Sequence, residues 1–271
     1  MLLQSCGLQG ITGFIHTGSR MTADSSIPRL SIVIPAHNEE RRLPRTLPRI
    51  ASYLRARSLT AEVIVVSDHS TDGTIACARS FAPHFQCLHV IETTPDHYGK
   101  GGAVRTGVLA AKGEIVLFTD ADLSAPIEEA DKLFAALETH EVAIGSRAVN
   151  RKLIEVHQSR RRELAGIAFN QAVQFITGLR IVDTQCGFKA FRRAPGRIAF
   201  EQQRTVGFGF DPEVLFLAKR HGLRIAEVPV RWSHDPDTKV RVLRDGLRMG
   251  LDLLLIRVRW LFGLYPRQQG R

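Results

Sequence analysis

Glu114-Ile-Val-Leu-Phe-Thr-Asp-Ala-Asp122 is a short apolar run that stops on two carboxylates one residue apart. It is β-branched and aromatic, bounded by turn residues and too short for a helix, so it predicts a buried strand with acidic groups at its carboxyl end. The same unit recurs on both sides. Leu30-Ser-Ile-Val-Ile-Pro-Ala36 predicts a strand ahead of a helix near 40–57, and Glu62-Val-Ile-Val-Val-Ser67 a second strand ahead of a helix from about Asp72 to Phe81. Leu88-His-Val-Ile91 predicts a third strand, Gly101–Lys112 a helix before the opening stretch, then a helix near 126–139 and the strand Val142-Ala-Ile144. Strands alternating with helices imply a parallel, doubly wound α/β sheet, which binds ligands at the carboxyl ends of its strands.

The residues that follow the strands therefore carry the chemistry: Pro35-Ala-His-Asn-Glu39, Asp68-His-Ser-Thr-Asp-Gly-Thr74, Asp120-Ala-Asp122 and Gly145-Ser-Arg147. Three of these four stops hold carboxylates on one edge, which repel unless a cation or hydrogen-bond donors bind there. Asp120 and Asp122 can both reach Mg²⁺ or Mn²⁺, which would bridge to a diphosphate; the alternative for Asp122 is a helix cap. Lys100, in Gly99-Lys-Gly-Gly102, meets either a phosphate or solvent. No Gly-x-Gly-x-x-Gly follows the first strand and no Gly-x-x-x-x-Gly-Lys-Ser/Thr occurs, which disfavours nicotinamide-cofactor and P-loop chemistry.

The second half is less regular: a helix around 160–177, the stretch Asp183-Thr-Gln-Cys-Gly-Phe-Lys189, a glycine-aromatic patch Gly207-Phe-Gly-Phe210, a helix near 212–221, a strand over Arg224–Val230 and a long helical pattern from about 240 to 264. The chain has 271 residues, 44% hydrophobic and 24% charged, an ordinary globular composition without internal repeats. Its net charge of +10 is unevenly spread: residues 151–271 hold 23 basic and 11 acidic groups, residues 21–150 hold 13 and 16. Four cysteines without Cys-x-x-Cys spacing point to reduced thiols in a cytosolic setting. No apolar run reaches the roughly 18–20 residues that span a bilayer. Residues 1–28 read as a disordered extension, and 1–20 in particular as an extension or misassigned start.

Taken in order, these motifs resemble family 2 glycosyltransferases of the GT-A fold, and within them the polyprenyl- and dolichyl-phosphate sugar synthases; the likeness runs from about Arg29 to Asp245. It implies a Rossmann-like, mostly parallel sheet flanked by helices over 29–240, with an amphipathic membrane-surface helix and tail over 241–271. It further implies that Pro35, Asn38, Glu39, Asp68, Asp72, Lys100 and Asp120 bind the nucleotide sugar, Asp68 through the uracil N3–H. Asp122 is the main ligand of Mg²⁺ or Mn²⁺, with Asp120; Asp183, Arg147 and Lys189 form the catalytic set; Arg147, Thr238 and Lys239 hold the acceptor phosphate. Ser67, His69 and Ser124 depart from the family pattern.

The implied reaction is inverting transfer of glucose from UDP-glucose to polyprenyl phosphate by a protein held peripherally at the cytoplasmic membrane face, with a GDP-mannose enzyme or a hydroxyl acceptor as alternatives. A lipid phosphate carries about −1.5 to −2 charge near pH 7, so it needs no strong base. Asp183 then orients the acceptor or its cationic partners; it would be a general base for a hydroxyl, or a turn residue without a catalytic part. A processive synthase is disfavoured because Arg231-Trp232 lacks the upstream Gln. A nucleic-acid partner, suggested by a pI near 10.0, leaves the acidic strand ends unexplained and is not expected. On a helical wheel Arg241, Arg244, Asp245, Arg248, Asp252 and Arg259 form one stripe beside a broad apolar face, with Trp260 and Tyr265 near the end. That pattern fits an interfacial helix or a core helix with a solvated polar face. Arg160-Arg-Arg162 is either a membrane or phosphate contact or a solvated helix face.

Overall fold

The computed structural model describes residues 28–235 and 242–265, the side chains of 242–244 excepted. Thr238, Lys239 and Arg241 lie outside the described residues, as does almost all of the expected N-terminal extension. Seven strands form one sheet in the order β3-β2-β1-β4-β7-β5-β8. They are β1 (Leu30–Ala36), β2 (Ala61–Ser67), β3 (Cys87–Glu92), β4 (Ile115–Thr119), β5 (Val142–Ser146), β7 (Phe188–Arg192) and β8 (Ile225–Pro229). A second, two-stranded sheet pairs β6 (Ile154–Val156) with β9 (Trp232–Ser233).

Strands β1 to β5 and β8 run parallel, as the alternation predicts, but β7 is antiparallel to both of its neighbours. This reversal has a consequence for function. Phe188, the first residue of β7, pairs with Thr119, the last of β4. The start of β7, not its end, therefore delivers residues 183–187 to the edge where the parallel strands finish.

Both faces of the sheet are covered, so the strands are buried almost continuously rather than alternately. On one face Ile32, Ile34, Val63 and Val65 pack with Leu43, Leu47 and Ile50 of α1 (Leu43–Ala56). On the other, Val33, Ile64 and Phe118 pack with Val104 and Val108 of α3 (Gly99–Ala110) and with Phe210 and Leu215 of α7 (Phe210–Arg220). The remaining helices are α2 (Thr74–Ser80), α4 (Ala130–Ala136), α5 (Arg160–Thr177), α6 (Arg193–Gln202) and α8 (Val242–Leu261).

Three elements escape the pattern reading. In β7 the alternation is broken by Lys189, a lysine that is 1% exposed. Helix α6 carries Pro195 and Gly196, which locally disfavour a helix, yet proline is tolerated in a first turn. The pair β6–β9 is too short for periodicity to register.

Candidate active site

The loops after β1 and β2 are laced together. Asn38 sits at φ 53° and His69 at φ 48°, left-handed backbone that is uncommon outside glycine and clusters at functional sites. The Asn38 Oδ1 accepts the Thr71 N–H at 2.7 Å, and its own N–H donates to Ser70 Oγ at 3.1 Å. Glu39 receives Arg42 through both carboxylate oxygens, at 3.2 and 3.1 Å. Asp72 accepts the N–H groups of Thr74 and Glu40 and the Thr74 hydroxyl. Slight burial works against ionisation, but the Thr74 and Glu40 bonds hold Asp72 below the ordinary carboxylate range. Pro35, Asn38, Glu39 and Asp72 thus occupy the expected edge, where Asn38 and Asp72 tie one loop to the other.

Asp68 and Asp120 are joined through two consecutive residues of α3. Asp68 Oδ2 accepts the Gly99 N–H at 2.9 Å, and the next side chain, Lys100, places Nζ 2.7 Å from Asp120 Oδ1. Gly99 has φ 85° and its position would bring a Cβ to 2.7 Å from the Val206 carbonyl oxygen, so only glycine serves there. The nucleotide-side carboxylate and the Asp120/Asp122 pair share one edge.

Asp122 makes no helix cap: its Oδ1 accepts the Ser124 N–H at 2.9 Å, well before α4, and Leu123 between them has φ 48°. Burial, then the Asp120 charge, pushes Asp122 above the usual carboxylate range. One ammonium, that of Lys100 on Asp120, faces the two carboxylates. Opposite the pair, Gly187 leaves its carboxylates room, because a Cβ there would lie 1.9 Å from Asp120 Oδ2. Among the described residues no three His, Cys, Asp or Glu side chains form a complete metal cage. Two carboxylates beside an open cavity suit a hard divalent ion that takes its other oxygens from a diphosphate and water.

Asp183, 6% exposed, accepts three hydrogen bonds from Arg147: backbone N–H at 2.9 Å, Nε at 2.7 Å and Nη2 at 2.7 Å. Burial favours the neutral acid, yet the Arg147 charge and hydrogen bonds keep Asp183 below the usual carboxylate range. Arg147 also stacks on Trp232, its guanidinium carbon 5.3 Å from the ring centroid. Beneath Asp183, Glu227 accepts the Asp183 and Val182 N–H groups at 2.8 and 3.0 Å and the Ser146 hydroxyl at 2.8 Å.

Lys189 corrects the expected catalytic set. Its ammonium bonds Asp211 at 2.5 Å and the Cys186 carbonyl at 2.6 Å, above the Phe118 ring, and it does not line the cavity. The lysine belongs to a buried ion pair because β7 turns that residue inward.

A cavity of about 370 Å³ is lined by Lys100, Asp120, Asp122, Arg147 and Asp183. Its walls also include Arg151, Ile154 and Trp232, with Arg162 and Ile167 of α5 and Met249 of α8. Asp211, Glu227 and Trp232 escaped the sequence reading as site residues. Their contacts cross 22 to 85 positions of sequence, which no local pattern reports.

Helix α8 covers one apolar row and leaves another outside. Met249, Leu253 and Ile256 are buried, and two members of the polar stripe are drawn in beside them while Arg248 stays exposed: Asp252 lies against Gly209, and Arg259 Nη1 stands 3.5 Å from buried Glu213. Leu247, Leu251 and Leu261 face outward at 74%, 63% and 67% exposure, joined by Phe262 and, on α5, by Leu164 and Phe175. Trp260 and Tyr265 do not sit at that surface. Trp260 packs edge-on to Phe216, and the Tyr265 hydroxyl donates to Glu213 at 2.6 Å. No described helix is long and apolar enough to cross a membrane.

Residues 31–196 match the family model for glycosyl transferase family 2. The chain belongs to that family. It is 38% identical over 259 residues to a dolichyl-phosphate beta-glucosyltransferase of Drosophila melanogaster, covering 89% of this chain and 78% of the relative. A human protein of the same description is 35% identical, over 92% of this chain and 81% of its own. The family 2 fold is also that of solved structures. Glucosyl-3-phosphoglycerate synthase from Mycobacterium tuberculosis, in complex with Mn²⁺, UDP-glucose and phosphoglyceric acid, superposes with a TM-score of 0.62 at 21% identity, covering 89% of this chain and 82% of that one. Mannosyl-3-phosphoglycerate synthase from Rubrobacter xylanophilus gives a TM-score of 0.64 at 20% identity, covering 90% and 77%. This family 2 glycosyltransferase accordingly has the GT-A fold, a mostly parallel sheet flanked by helices.

Proposed function

We propose that this glycosyltransferase transfers glucose from UDP-glucose to the phosphate of a polyprenol at a membrane surface. The observation that carries the reading is one cavity lined by the Asp120/Asp122 pair, by Arg147 and by residues of α5 and α8, two helices that also carry exposed apolar side chains. A donor diphosphate fits the acidic pair, an anionic headgroup the arginines, and an isoprenoid chain the apolar lining that includes Ile167 and Met249. The 38% identical relative, a dolichyl-phosphate beta-glucosyltransferase, carries the same sugar and class of acceptor in its name.

The acceptor phosphate is already a nucleophile at neutral pH, so the protein has to hold it rather than deprotonate it. Arg147 is suited to that work: two of its nitrogens are fixed on Asp183, and its plane is set by Trp232. Asp183, ion-paired and kept ionised, is a poor proton acceptor and a good anchor for Arg147, which favours the lipid phosphate over a hydroxyl acceptor. Asp120 and Asp122 would hold Mg²⁺ or Mn²⁺, which supplies positive charge to the leaving diphosphate. Attack from the acceptor side of the cavity on a sugar held at the diphosphate end is in line and inverts the anomeric centre.

The outward leucines of α8 bury in the headgroup region of a bilayer, with Arg160, Arg161, Arg248 and Arg257 near anionic lipid. Free Cys77, Cys87 and Cys186 and the attraction of arginine to an anionic leaflet support peripheral binding at the cytoplasmic face. The test incubates purified protein, Mg²⁺ or Mn²⁺ and polyprenyl phosphate with UDP-glucose, GDP-mannose and other nucleotide sugars. A mild-acid-labile glucolipid formed with UDP-glucose is expected; product from GDP-mannose alone, or none from any donor, overturns the reading.

A further inference from the structure

Lys100 occupies a place that the donor chemistry does not explain. Its ammonium contacts Asp120 at 2.7 Å, on the carboxylate pair that suits a divalent ion. It is held there by its backbone. The Gly99 N–H is bound to Asp68, the Gly102 N–H donates to the Val206 carbonyl at 3.1 Å, and a Cβ at Gly101 would come within 2.6 Å of Phe210 Cβ. The first turn of α3 is therefore pressed onto residues 206–210, and only the Lys100 side chain can move. Lys100 and Asp120 are 21% and 31% exposed, enough shelter for their attraction to resist salt. A metal ion and this ammonium cannot both be close partners of Asp120 without repelling each other. The lysine has somewhere to turn: its side chain lines the cavity together with Asp120 and Asp122, and a bound diphosphate there would offer anionic oxygens.

We propose that Lys100 is a resident counter-ion that competes with the divalent metal for Asp120, and that a nucleoside diphosphate relieves the competition by drawing the ammonium away. Resting on the sugar-nucleotide reading, this makes metal and donor bind as a coupled pair, each raising the other's affinity by the same factor. In the nucleotide-free protein Lys100 sets a positive charge on Asp120, which keeps the site weak for metal.

The experiment measures Mn²⁺ binding by electron paramagnetic resonance of the free ion, without and with UDP, for wild type, Lys100→Met and Lys100→Arg. Nucleotide-free Mn²⁺ affinity is expected to rise about tenfold in Lys100→Met and to stay near wild type in Lys100→Arg, because charge and not shape is the competitor. UDP is expected to strengthen Mn²⁺ binding at least about tenfold in wild type and much less in Lys100→Met. A Lys100→Met protein that binds Mn²⁺ no more tightly than wild type overturns the proposal; thermal melts verify that it is folded, and Lys100→Gln repeats the measurement if it is not. Absence of UDP binding in every form would overturn the donor reading, while the nucleotide-free arm still decides the role of Lys100.

Discussion

Arg147 clasps Asp183 from both ends of the residue, with its backbone N–H at 2.9 Å and its guanidinium Nε and Nη2 at 2.7 Å each. A carboxylate so placed fixes both the chain and the side chain of an arginine on the cavity wall. Asp183→Asn keeps the shape but loses the charge and part of the acceptor capacity. It is expected to lower kcat with polyprenyl phosphate about 10²-fold, through misplacement of Arg147, while UDP binding measured by calorimetry stays within a few-fold of wild type. Retention of full kcat would remove Asp183 from the site.

The same pair fixes a pH dependence. Asp183 is held below its unfolded value, so its contribution to stability is present above the ordinary carboxylate range and is lost as pH falls through the lower folded value. The melting-temperature gap between wild type and Asp183→Asn should therefore stay constant as pH varies from 6 to 8, and shrink on acidification below about 4. The acidic limb of kcat/KM should follow the second ionisation of the lipid phosphate near pH 6, and persist in Asp183→Asn. A limb that disappears in the variant would make Asp183 a base.

Gly187 tests the carboxylate pair from the opposite side. A methyl group 1.9 Å from Asp120 Oδ2 forces that carboxylate out of place. Gly187→Ala is expected to cut activity about 10²-fold and to weaken Mn²⁺–UDP binding, with a change in melting temperature too small to account for either. Unaltered Mn²⁺ binding would separate Asp120 from the metal.

The buried ion pair makes a prediction of stability rather than chemistry. Lys189 and Asp211 are 1% and 4% exposed, and burial is the first influence on Asp211, raising its carboxyl despite the neighbouring lysines. Removing one partner strands a charge, so Lys189→Met is expected to cost about 3–5 kcal/mol in urea unfolding. Lys189→Met with Asp211→Asn should recover much of that loss. A double variant that costs the sum of the Lys189→Met and Asp211→Asn single costs would show the pair to be uncoupled.

The strand ends were legible because a doubly wound sheet places chemistry at a predictable edge and the carboxylates follow short apolar runs. Asp68, Asp120 and Asp122 were found this way. What the pattern could not report was direction. The reversal of β7 decides that Asp183 and Gly187 reach the site while Lys189 turns inward, and a strand written Phe-Lys-Ala-Phe-Arg has no sign of its polarity. The wheel of α8 shows a polar stripe and a broad apolar face but not the row that the protein covers, Met249, Leu253 and Ile256.

That orientation is testable because the two faces respond oppositely. Leu247, Leu251 and Leu261 are 74%, 63% and 67% exposed, whereas Leu253 is 1% exposed. In a helix that merely closes a core, the exposed positions tolerate charge without consequence. In a helix that lies on a bilayer, each leucine contributes about 1.5–3 kcal/mol when buried in lipid. Leu247→Glu with Leu251→Glu should leave the melting temperature nearly unchanged and reduce sedimentation with anionic vesicles at least about 10²-fold. Transfer to polyprenyl phosphate presented in those vesicles should fall with it. Leu253→Glu should instead unfold the C-terminal region. Vesicle binding unaffected by the double variant would remove α8 from the membrane contact, and a large loss of stability in that variant would show that its leucines are covered by protein.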